Sequence, residues 1–236
     1  MDNFKLHKNN KYIVTLDVEK FFPKCNASFV YNFFKKFFLM SNDVAYLLTQ
    51  LCTIDTNKSN LSEEVIEWFN QTNQKLYYPL PNSHIPTGSP LSQILAFLAF
   101  QNMFDEIMDY CSSNNITMTL YVDDITLSSN KKISKNHIYV IKNILNTYGH
   151  NVNYKKIRIY KPNYNKKITG VILDKNNIPK ATMKLHYKVH KHSIEYKINK
   201  DEALKRKLLG EMYAIYLIEP TKYHNSIGLL KRNDFS

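Results

Sequence analysis

The sequence predicts an α+β fold, in which an antiparallel sheet packs on helices and a helical segment follows at the C-terminus. Three observations lead to this prediction. Short β-branched and apolar runs predict strands, and apolar residues at three- and four-residue spacing predict helices. These elements follow one another in the order β-α-α-β-β-α-β, and two basic helical stretches come after them.

The first half of the chain contains one clear strand followed by helical stretches. Residues 12–16 form a β-branched, apolar run that ends at Asp17, which predicts a strand. Apolar spacing then predicts a helix over 27–53, a short helix over 63–69 and a long, largely buried helix over 91–111.

The second half begins with an alternating pattern around Asp123-Asp124, which predicts a hairpin with these two acids at its tip. The predicted elements are strands over 118–122 and 125–128, a helix over 136–148 that closes at Gly149, strands around 152–154 and 167–173, and helices from Lys180 onward and over 202–218.

Length and composition exclude several protein classes. The chain has 236 residues, of which 44% are hydrophobic and 22% charged, as is typical of a globular protein with a sizeable core. The longest apolar run, 94–100, is too short to cross a membrane, and the N-terminus does not resemble a signal peptide. The isolated cysteines Cys25, Cys52 and Cys111 indicate a reducing cytoplasm without a disulfide framework.

Charge is divided unevenly along the chain. Residues 1–130 contain 9 Lys and Arg against 13 Asp and Glu, a net charge of −4. Residues 131–236 contain 23 Lys and Arg against 7 Asp and Glu, a net charge of +16. The basic half favours a polyanionic partner such as a nucleic acid, although a solvated lysine-rich surface would give the same count.

Asp17, Asp123 and Asp124 are the first candidates for a functional site. The strands are expected to bring them to one sheet edge, where three carboxylates repel one another unless a cation lies between them. Mg²⁺ binds carboxylate oxygens together with phosphate and water, and two such ions assist in-line phosphoryl transfer. From the acids alone a second interpretation stands beside this one, in which Asp17 caps a turn and the Asp pair solvates a hairpin.

The residues around these acids favour the catalytic interpretation. Three segments occur in order: DVEKFF at 17–22, IPTGSPLS at 85–92 and LYVDD at 120–124. They resemble motifs A, B and C of reverse transcriptases, and GHNVNYKK at 149–156 is similar to motif D.

Two further segments resemble retron-type reverse transcriptases of bacteria. Ile168-Thr169-Gly170 is similar to their Val-Thr-Gly triplet, and NFKLH at 3–7 is similar to their Asn-Ala-x-x-His element. The resemblance covers nearly the whole chain. It implies a polymerase right-hand palm over residues 1–178, with a residual fingers segment, and a helical thumb over 179–236.

The resemblance also implies roles for individual residues at the reacting centre. Asp17, Asp123, Asp124 and the carbonyl of Val18 would hold two Mg²⁺ ions. Lys156, or its neighbour Lys155, would protonate the leaving pyrophosphate, with a plain surface lysine as the alternative.

Other residues would bind the substrates. Phe22 is similar to the steric gate that selects deoxynucleotides, whereas Phe21 is expected in the core because adjacent strand residues face opposite ways. Thr87 and Gly88 would lie against the incoming nucleotide and the template base, and Tyr121 beside the primer terminus.

The C-terminal region is expected to bind RNA. The resemblance assigns this role to Ile168, Thr169 and Gly170, and phosphate contacts to the thumb lysines Lys184, Lys188 and Lys191. His186, His190 and His192 could be considered as a metal site, but no cysteine or acid completes it, so phosphate contact or solvation is the interpretation for them.

The expected function is RNA-templated DNA synthesis in the cytoplasm, with a structured noncoding RNA, its cDNA and dNTPs as partners and no membrane. The resemblance to retron reverse transcriptases also implies a role in antiphage defence and an effector protein as a partner. Only 16 residues precede Asp17, so we expect the fingers to be missing or supplied by a separate chain. Two alternatives are a non-catalytic RNA-binding scaffold or fragment and another bacterial reverse transcriptase, of the defence or intron type.

Overall fold

The structure is a computed structural model, and it describes residues 3–54 and 83–232. The helix predicted over 63–69 lies outside these residues. The described helices are α1 (Asn3–His7), α2 (Phe21–Lys24), α3 (Ala27–Asn32), α4 (Asn42–Cys52), α5 (Ser92–Ala99), α6 (Gln101–Ser113), α7 (Lys135–Thr147), α8 (Met183–Asn199), α9 (Glu202–Tyr216) and α10 (His224–Lys231). A π-helix over Phe33–Phe37 and a 3₁₀-helix over Tyr154–Lys156 complete the helical segments of these residues.

Two sheets are described. The first has the strand order β2-β3-β1-β4 and the second the order β5-β6-β7. Their strands are β1 (Tyr12–Asp17), β2 (Thr117–Tyr121), β3 (Asp124–Ser129), β4 (Arg158–Tyr160), β5 (Lys166–Ile168), β6 (Val171–Leu173) and β7 (Pro179–Ala181). β1 and β4 pair antiparallel, as do the strands of the second sheet. The predicted α+β fold with an antiparallel sheet and C-terminal helices is therefore confirmed.

The chain divides into two compact units. The first unit comprises Met1–Thr15, Thr126–Ile133 and Arg158–Ser236, and the second comprises Leu16–Ile125 and Ser134–Ile157. Of the helices described, none combines the length and the hydrophobicity that a bilayer span requires.

The core of the first unit joins residues that are far apart in the sequence. Phe4 of α1 and Ile13 of β1 belong to the same buried cluster as Ile168, Leu208 and Ile215. Burial of this apolar surface supplies the main free energy that holds the second sheet and α8 to α10 together.

A buried polar contact also holds α1 in the first unit. The Nδ1 atom of His7 lies 2.6 Å from the hydroxyl oxygen of Ser128 in β3, and the side-chain amide of Asn10 donates to the same oxygen at 2.7 Å. Burial lowers the pKa of His7 to about 4, so this imidazole is neutral at pH 7. The buried position of His7 means that its ring supports the fold.

The C-terminal histidines form contacts that the sequence interpretation missed. His186 Nε2 lies 3.2 Å from a carboxylate oxygen of Glu219, and His192 Nδ1 lies 2.6 Å from Glu211. The prediction that solvent surrounds these side chains is therefore wrong for His186 and His192. Acids distant in sequence bind both rings, because consecutive helices pack against each other.

Glu219 is buried among several donors. Burial by itself raises its pKa, but hydrogen bonds from the Ala181 amide and His186 and the charge of Lys180 outweigh this effect and lower the pKa. The Ala181 amide donates at 2.8 Å, so the carboxylate links β7 to α8. The prediction of a helix from Lys180 onward is wrong at its start, because Lys180 belongs to β7 and α8 begins only at Met183.

The two long helices predicted in the second unit are each interrupted. The helix predicted over 91–111 breaks at Phe100, which has φ −115° and ψ 20°. The buried ring of Phe100 lies 4.5 Å, between ring centroids, from both Phe29 and His150. The helix breaks where Phe100 makes these tertiary contacts, and the local spacing of apolar residues does not predict them.

The stretch predicted as a helix over 27–53 also divides. It consists of α3, the π-helix and α4, and Leu39 between the last two has a left-handed φ of 53°. Ser41 then caps α4 by accepting a hydrogen bond from the Val44 amide at 3.4 Å.

Two predicted strands differ from the observed ones. Val152 forms only an isolated bridge with Val18, and the residues after it form the 3₁₀-helix instead of continuing a strand. The strand predicted over 167–173 is two strands, because Thr169 and Gly170 turn the chain with φ values of 39° and 88°.

We expect the Glu219→Gln variant to lower the free energy of unfolding at pH 7 by about 1–3 kcal/mol, because it removes a buried charged acceptor. The folded-state pKa of Glu219 lies below its ordinary value of 4.5. The wild type therefore loses this stabilisation as the pH falls from 4.5 through that lower pKa, and the variant has a flatter acid limb. Urea unfolding between pH 7 and pH 3 measures both effects. Glu195→Gln, at an α8 carboxylate whose side chain is 42% exposed, is the control. Equal pH slopes for wild type and Glu219→Gln would contradict the assignment.

Candidate active site

Asp17 lies at the end of β1, directly after a buried run of the strand. The next residue, Val18, donates its backbone N–H to the carbonyl oxygen of Asp123 at 3.0 Å. Backbone hydrogen bonding thus joins the end of β1 to the turn between β2 and β3, and both Asp17 and Asp123 belong to the second unit.

The turn beside the Asp pair begins one residue earlier than predicted. Val122 and Asp123 form the turn, whereas Asp124 already begins β3, so the predicted tip at Asp123-Asp124 is shifted by one residue. Val122 has φ 60°, which is unusual for a β-branched residue and costs about 1–3 kcal/mol. The strained backbone lies directly beside the carboxylates.

A third segment reaches Asp17 from the other side. The Asn153 amide donates to the Asp17 carbonyl oxygen at 2.8 Å, and the Glu19 amide donates to the Asn151 carbonyl oxygen at 2.7 Å. The side chain of Asn153 accepts from the Lys155 amide at 3.2 Å and starts the 3₁₀-helix. This turn brings Lys156 to the end of β1.

Lys156 forms an ion pair with Asp17. Its ammonium nitrogen donates to a carboxylate oxygen of Asp17 at 2.7 Å. The hydrogen bond to Asp17 is the largest cause of a raised pKa for Lys156, and the charges of Asp17, Asp123 and Asp124 raise it further. Lys156 is therefore protonated at pH 7, and its charge acts on all three acids.

The Asp123 carboxyl has a raised pKa. Burial is the main cause, and the negative charge of Asp17 adds to it, whereas a hydrogen bond from its own backbone amide and the charge of Lys156 oppose it. Asp17 and Asp123 are thus close enough to repel each other. Asp17, Asp123, Asp124 and Lys156 form one electrostatic group, which we call the acid cluster.

The acid cluster fits a divalent metal in its donor chemistry. Carboxylate oxygens are the ligands that Mg²⁺ prefers, and a cation relieves the repulsion between Asp17 and Asp123. In the conformation described here Lys156 already supplies a positive charge at Asp17. Within residues 3–54 and 83–232 no group of three or more His, Cys, Asp or Glu side chains is positioned to hold a metal. Lys156 contacts one carboxylate oxygen of Asp17, so it would compete with a metal ion for that oxygen.

Phe21 and Phe22 follow β1 in the short helix α2. Phe21 is 3% exposed and packs against Phe104 and His150, with ring centroids 6.0 and 5.1 Å away. Phe22 is half-buried. The core position of Phe21 agrees with the expectation, but the reason given for it is wrong, because the two residues belong to a helical turn and not to a strand.

The other predicted nucleotide contacts lie in exposed segments of the second unit. Thr87 and Gly88 are exposed, and Gly88 has φ 93°, a conformation that glycine adopts without strain. Ser92 donates to the Pro86 carbonyl oxygen and closes this turn. Tyr121, at the end of β2, is 58% exposed. The hydrogen bonds that hold the acid cluster do not include Thr87, Gly88 or Tyr121.

The predicted RNA contacts lie in the first unit. Ile168 is fully buried in its core, which leaves Thr169 and the exposed Gly170 as the accessible part of the triplet. The α8 lysines are exposed and share one helix face, because four and three residues separate them: Lys184, Lys188 and Lys191. The ammonium nitrogen of Lys191 lies 3.6 Å from a Glu195 carboxylate oxygen.

Sequence reasoning missed two residues that build this site. Asn153 fixes the turn that carries Lys156, and Val122 has the strained backbone beside Asp123. The motif similarity at 149–156 was a signal for Asn153. The left-handed backbone of Val122 could not be predicted from the sequence, because valine rarely adopts a positive φ.

Comparison with known proteins gives a family match. The model of the family "Reverse transcriptase (RNA-dependent DNA polymerase)" matches residues 1–196. The chain is 28% identical over 181 residues to the retron Ec83 reverse transcriptase of Escherichia coli, covering 75% of this chain and 52% of that protein. It is 25% identical over 189 residues to the retron Se72 reverse transcriptase of Salmonella heidelberg (strain 579083-10), covering 77% and 42%. The chain spans about half the length of these curated relatives.

Solved structures of two telomerases are also similar to this chain. One is telomerase from Candida albicans in complex with a TWJ fragment of telomeric RNA, with 10% identity, a TM-score of 0.47 and coverage of 88% of this chain and 40% of that chain. The other is apo telomerase from Candida tropicalis truncated from its C-terminal domain, with 13% identity, a TM-score of 0.43 and coverage of 72% and 35%.

We expect the Lys156→Met variant to be stabilised more by MgCl2 than the wild type, because no ammonium group competes for Asp17. The Lys156 side chain is 60% exposed, so its ion pair contributes less than about 1 kcal/mol. For a chain of this length about 1 kcal/mol corresponds to a Tm shift of about 2–4 °C, so the MgCl2-induced shifts of the two proteins should differ by less than that. Thermal unfolding with MgCl2 or EDTA at constant ionic strength measures it, and Lys155→Met is the control for the lost charge. The same MgCl2-induced shift in all three proteins would contradict competition at Asp17.

Proposed function

Because the family model matches residues 1–196, the chain belongs to the reverse transcriptase family, and we propose that it synthesises DNA on an RNA template. The observation that carries this proposal is the acid cluster. Hydrogen bonds from two separate segments hold the end of β1 beside Asp123 and Lys156. Acids and a protonated lysine in one group are what nucleotidyl transfer requires.

In the proposed reaction, the 3′-hydroxyl of the primer attacks the α-phosphorus of a bound dNTP. A new phosphodiester bond forms, the hydroxyl proton passes to solvent water, the bond between the α-phosphorus and the bridging oxygen of the β-phosphate breaks, and pyrophosphate leaves. Two Mg²⁺ ions, held by Asp17, Asp123, Asp124 and the Val18 carbonyl, would neutralise the charge on the phosphates.

Lys156 is the proposed proton donor in this reaction. Once it has left Asp17, its ammonium group would donate a proton to the leaving pyrophosphate. Its raised pKa supports this role, because the group carries the proton at neutral pH. Exposure of 60% of the side chain leaves Lys156 accessible to such a substrate.

Binding of the substrates would use the residues around the acid cluster. Phe22 would exclude a ribose 2′-hydroxyl, Thr87 and Gly88 would contact the nucleotide and the template base, and Tyr121 would lie beside the primer terminus. The exposed positions of Thr87, Gly88 and Tyr121 support these roles, since each is open to a ligand.

The RNA would be bound by the basic C-terminal part. We assign residues 1–178 to a palm and 179–236 to a thumb, with phosphate contacts from Lys184, Lys188 and Lys191. Thr169 and Gly170 would contact the RNA backbone at the exposed turn between β5 and β6.

The names of the relatives suggest the biological setting. Two proteins that match most of this chain are retron reverse transcriptases. We therefore infer that the template is a structured noncoding RNA of retron type, that the product is its cDNA, and that the protein works in the cytoplasm in antiphage defence. An effector protein is a further proposed partner.

A second candidate function is a non-catalytic RNA-binding scaffold. The observation that favours it is the ion pair of Lys156 with Asp17, together with the lack of a three-ligand group among the described residues. Primer extension by the wild type with Mg²⁺ distinguishes the two functions. Robust extension rules out the scaffold, and its absence while RNA still binds favours it.

We expect the double variant Asp123→Asn, Asp124→Asn to reduce dNTP incorporation at least about 100-fold, because metal-assisted charge stabilisation is worth several kcal/mol. Primer extension on an RNA template measures the rate, and fluorescence anisotropy checks that RNA affinity is retained. Asp109→Asn, an exposed acid on α6, is the control. Equal incorporation by the double variant and the wild type would refute the proposed reaction.

We expect Phe22→Ala to raise the ratio of rNTP to dNTP incorporation by about tenfold or more, because the ring no longer blocks the 2′-hydroxyl. Single-nucleotide extension with each substrate gives this ratio. Phe22→Tyr keeps the ring and serves as the matched control. If Phe22→Ala and Phe22→Tyr discriminate equally well, Phe22 is not the steric gate.

A further inference from the structure

The first unit contains a cavity of about 240 Å³ on its part of the first sheet. It is lined by Tyr12, Val14, Lys132, Ile133, Ile159, Lys161 and Pro162. Strands β1 and β4 and the segment after β3 provide these residues. None of them belongs to the acid cluster, and none is among the proposed RNA contacts.

Strand register explains why the apolar side chains meet. Val14 of β1 lies opposite Ile159 of β4, and opposed residues in an antiparallel pair project to the same face. Tyr12 is two residues from Val14 in β1, and Lys161 directly follows β4 two residues after Ile159, so both line the cavity beside this pair. Ile159 is 55% exposed, which leaves a large apolar side chain open to solvent beside a lysine.

The rim of the cavity is positively charged. Lys132 and Lys161 are both exposed. The segments that contribute them, 126–133 and 158–167, contain six Lys or Arg residues and no Asp or Glu. An apolar wall next to positive charge strengthens the local field, because the wall has a low dielectric constant.

We propose that this cavity binds an unpaired nucleotide of the RNA, with the base on the apolar surface and its flanking phosphates at Lys132 and Lys161. The inference rests on the proposed function for the identity of the polyanion. Lysine is a compact charge that pairs with phosphate from many directions, and aromatic side chains such as Tyr12 bind the face of any base.

The size of the cavity favours a single-stranded segment. Its 240 Å³ is below the range of about 300–1,000 Å³ that encloses drug-sized ligands, so it suits one base better than a larger group. Bases stacked within a duplex do not enter a concave site, whereas a base in a loop or a single strand does. The site would therefore distinguish unpaired from paired RNA.

The test compares charge reversal at the cavity with charge reversal elsewhere in the first unit. The variant is Lys132→Glu, Lys161→Glu, and the control is Lys175→Glu, Lys222→Glu, which changes the net charge equally at exposed positions. Fluorescence anisotropy with labelled oligouridylate across a salt series measures Kd. We expect the slope of log K against log salt to fall by about 1.4 for two lost single-strand phosphate contacts. Near physiological salt this corresponds to at least a tenfold weaker affinity than that of the control.

A second measurement does not depend on these variants. Photocrosslinking of wild-type protein to 4-thiouridine RNA, followed by peptide mapping, is expected to label residues 158–162. Equal Kd values and slopes for the two double variants, or equal weakening for duplex RNA, would overturn the proposal. Labelling confined to other peptides, or competition by an acidic peptide in place of RNA, would overturn it as well.

Primer extension on a preformed RNA–DNA primer duplex separates this proposal from the proposed function. The cavity variant is expected to extend that duplex at the wild-type rate. If it does so and still binds oligouridylate normally, the cavity proposal fails and the polymerase assignment stands. If the wild type extends nothing, the polymerase assignment fails, and the anisotropy result still decides whether the cavity binds RNA.

Discussion

The arrangement of the acid cluster depends on backbone hydrogen bonds at the end of β1. The Val18 amide donates to Asp123, and the Asp17 carbonyl accepts from Asn153. Because main-chain groups make both bonds, they fix the positions of three distant segments whatever the side chains do. The side chains at this junction are those that the proposed nucleotidyl transfer would use.

Bringing the acids together creates repulsion that the protein offsets internally. Asp17 raises the pKa of Asp123, and Lys156 lowers it. The same lysine is the proposed proton donor to pyrophosphate, so one group would serve two states of the site. It neutralises Asp17 in the conformation described here, and it would act on the substrate once a metal ion takes over that charge.

The acid cluster and the lysines proposed to bind RNA belong to different units. The acid cluster lies in the second unit, whereas the α8 lysines and the charged cavity lie in the first. Buried acids in the first unit are matched by donors, as Glu219 is by Ala181 and His186. The exposed lysines on α8 and at the cavity are the proposed phosphate contacts, and Lys191 among them also pairs with Glu195.

The sequence by itself determined the α+β class, the order of the motifs and the identity of the three acids, because strand and helix periods and short motifs are local properties. Only the tertiary structure decided the break at Phe100, the burial of Ile168 and the pairing of Lys156 with Asp17. Lys156 and Asp17 are 139 residues apart, and no local pattern records which distant segments meet. Those outcomes depend on long-range packing and on backbone hydrogen bonds, which act only once the chain has folded.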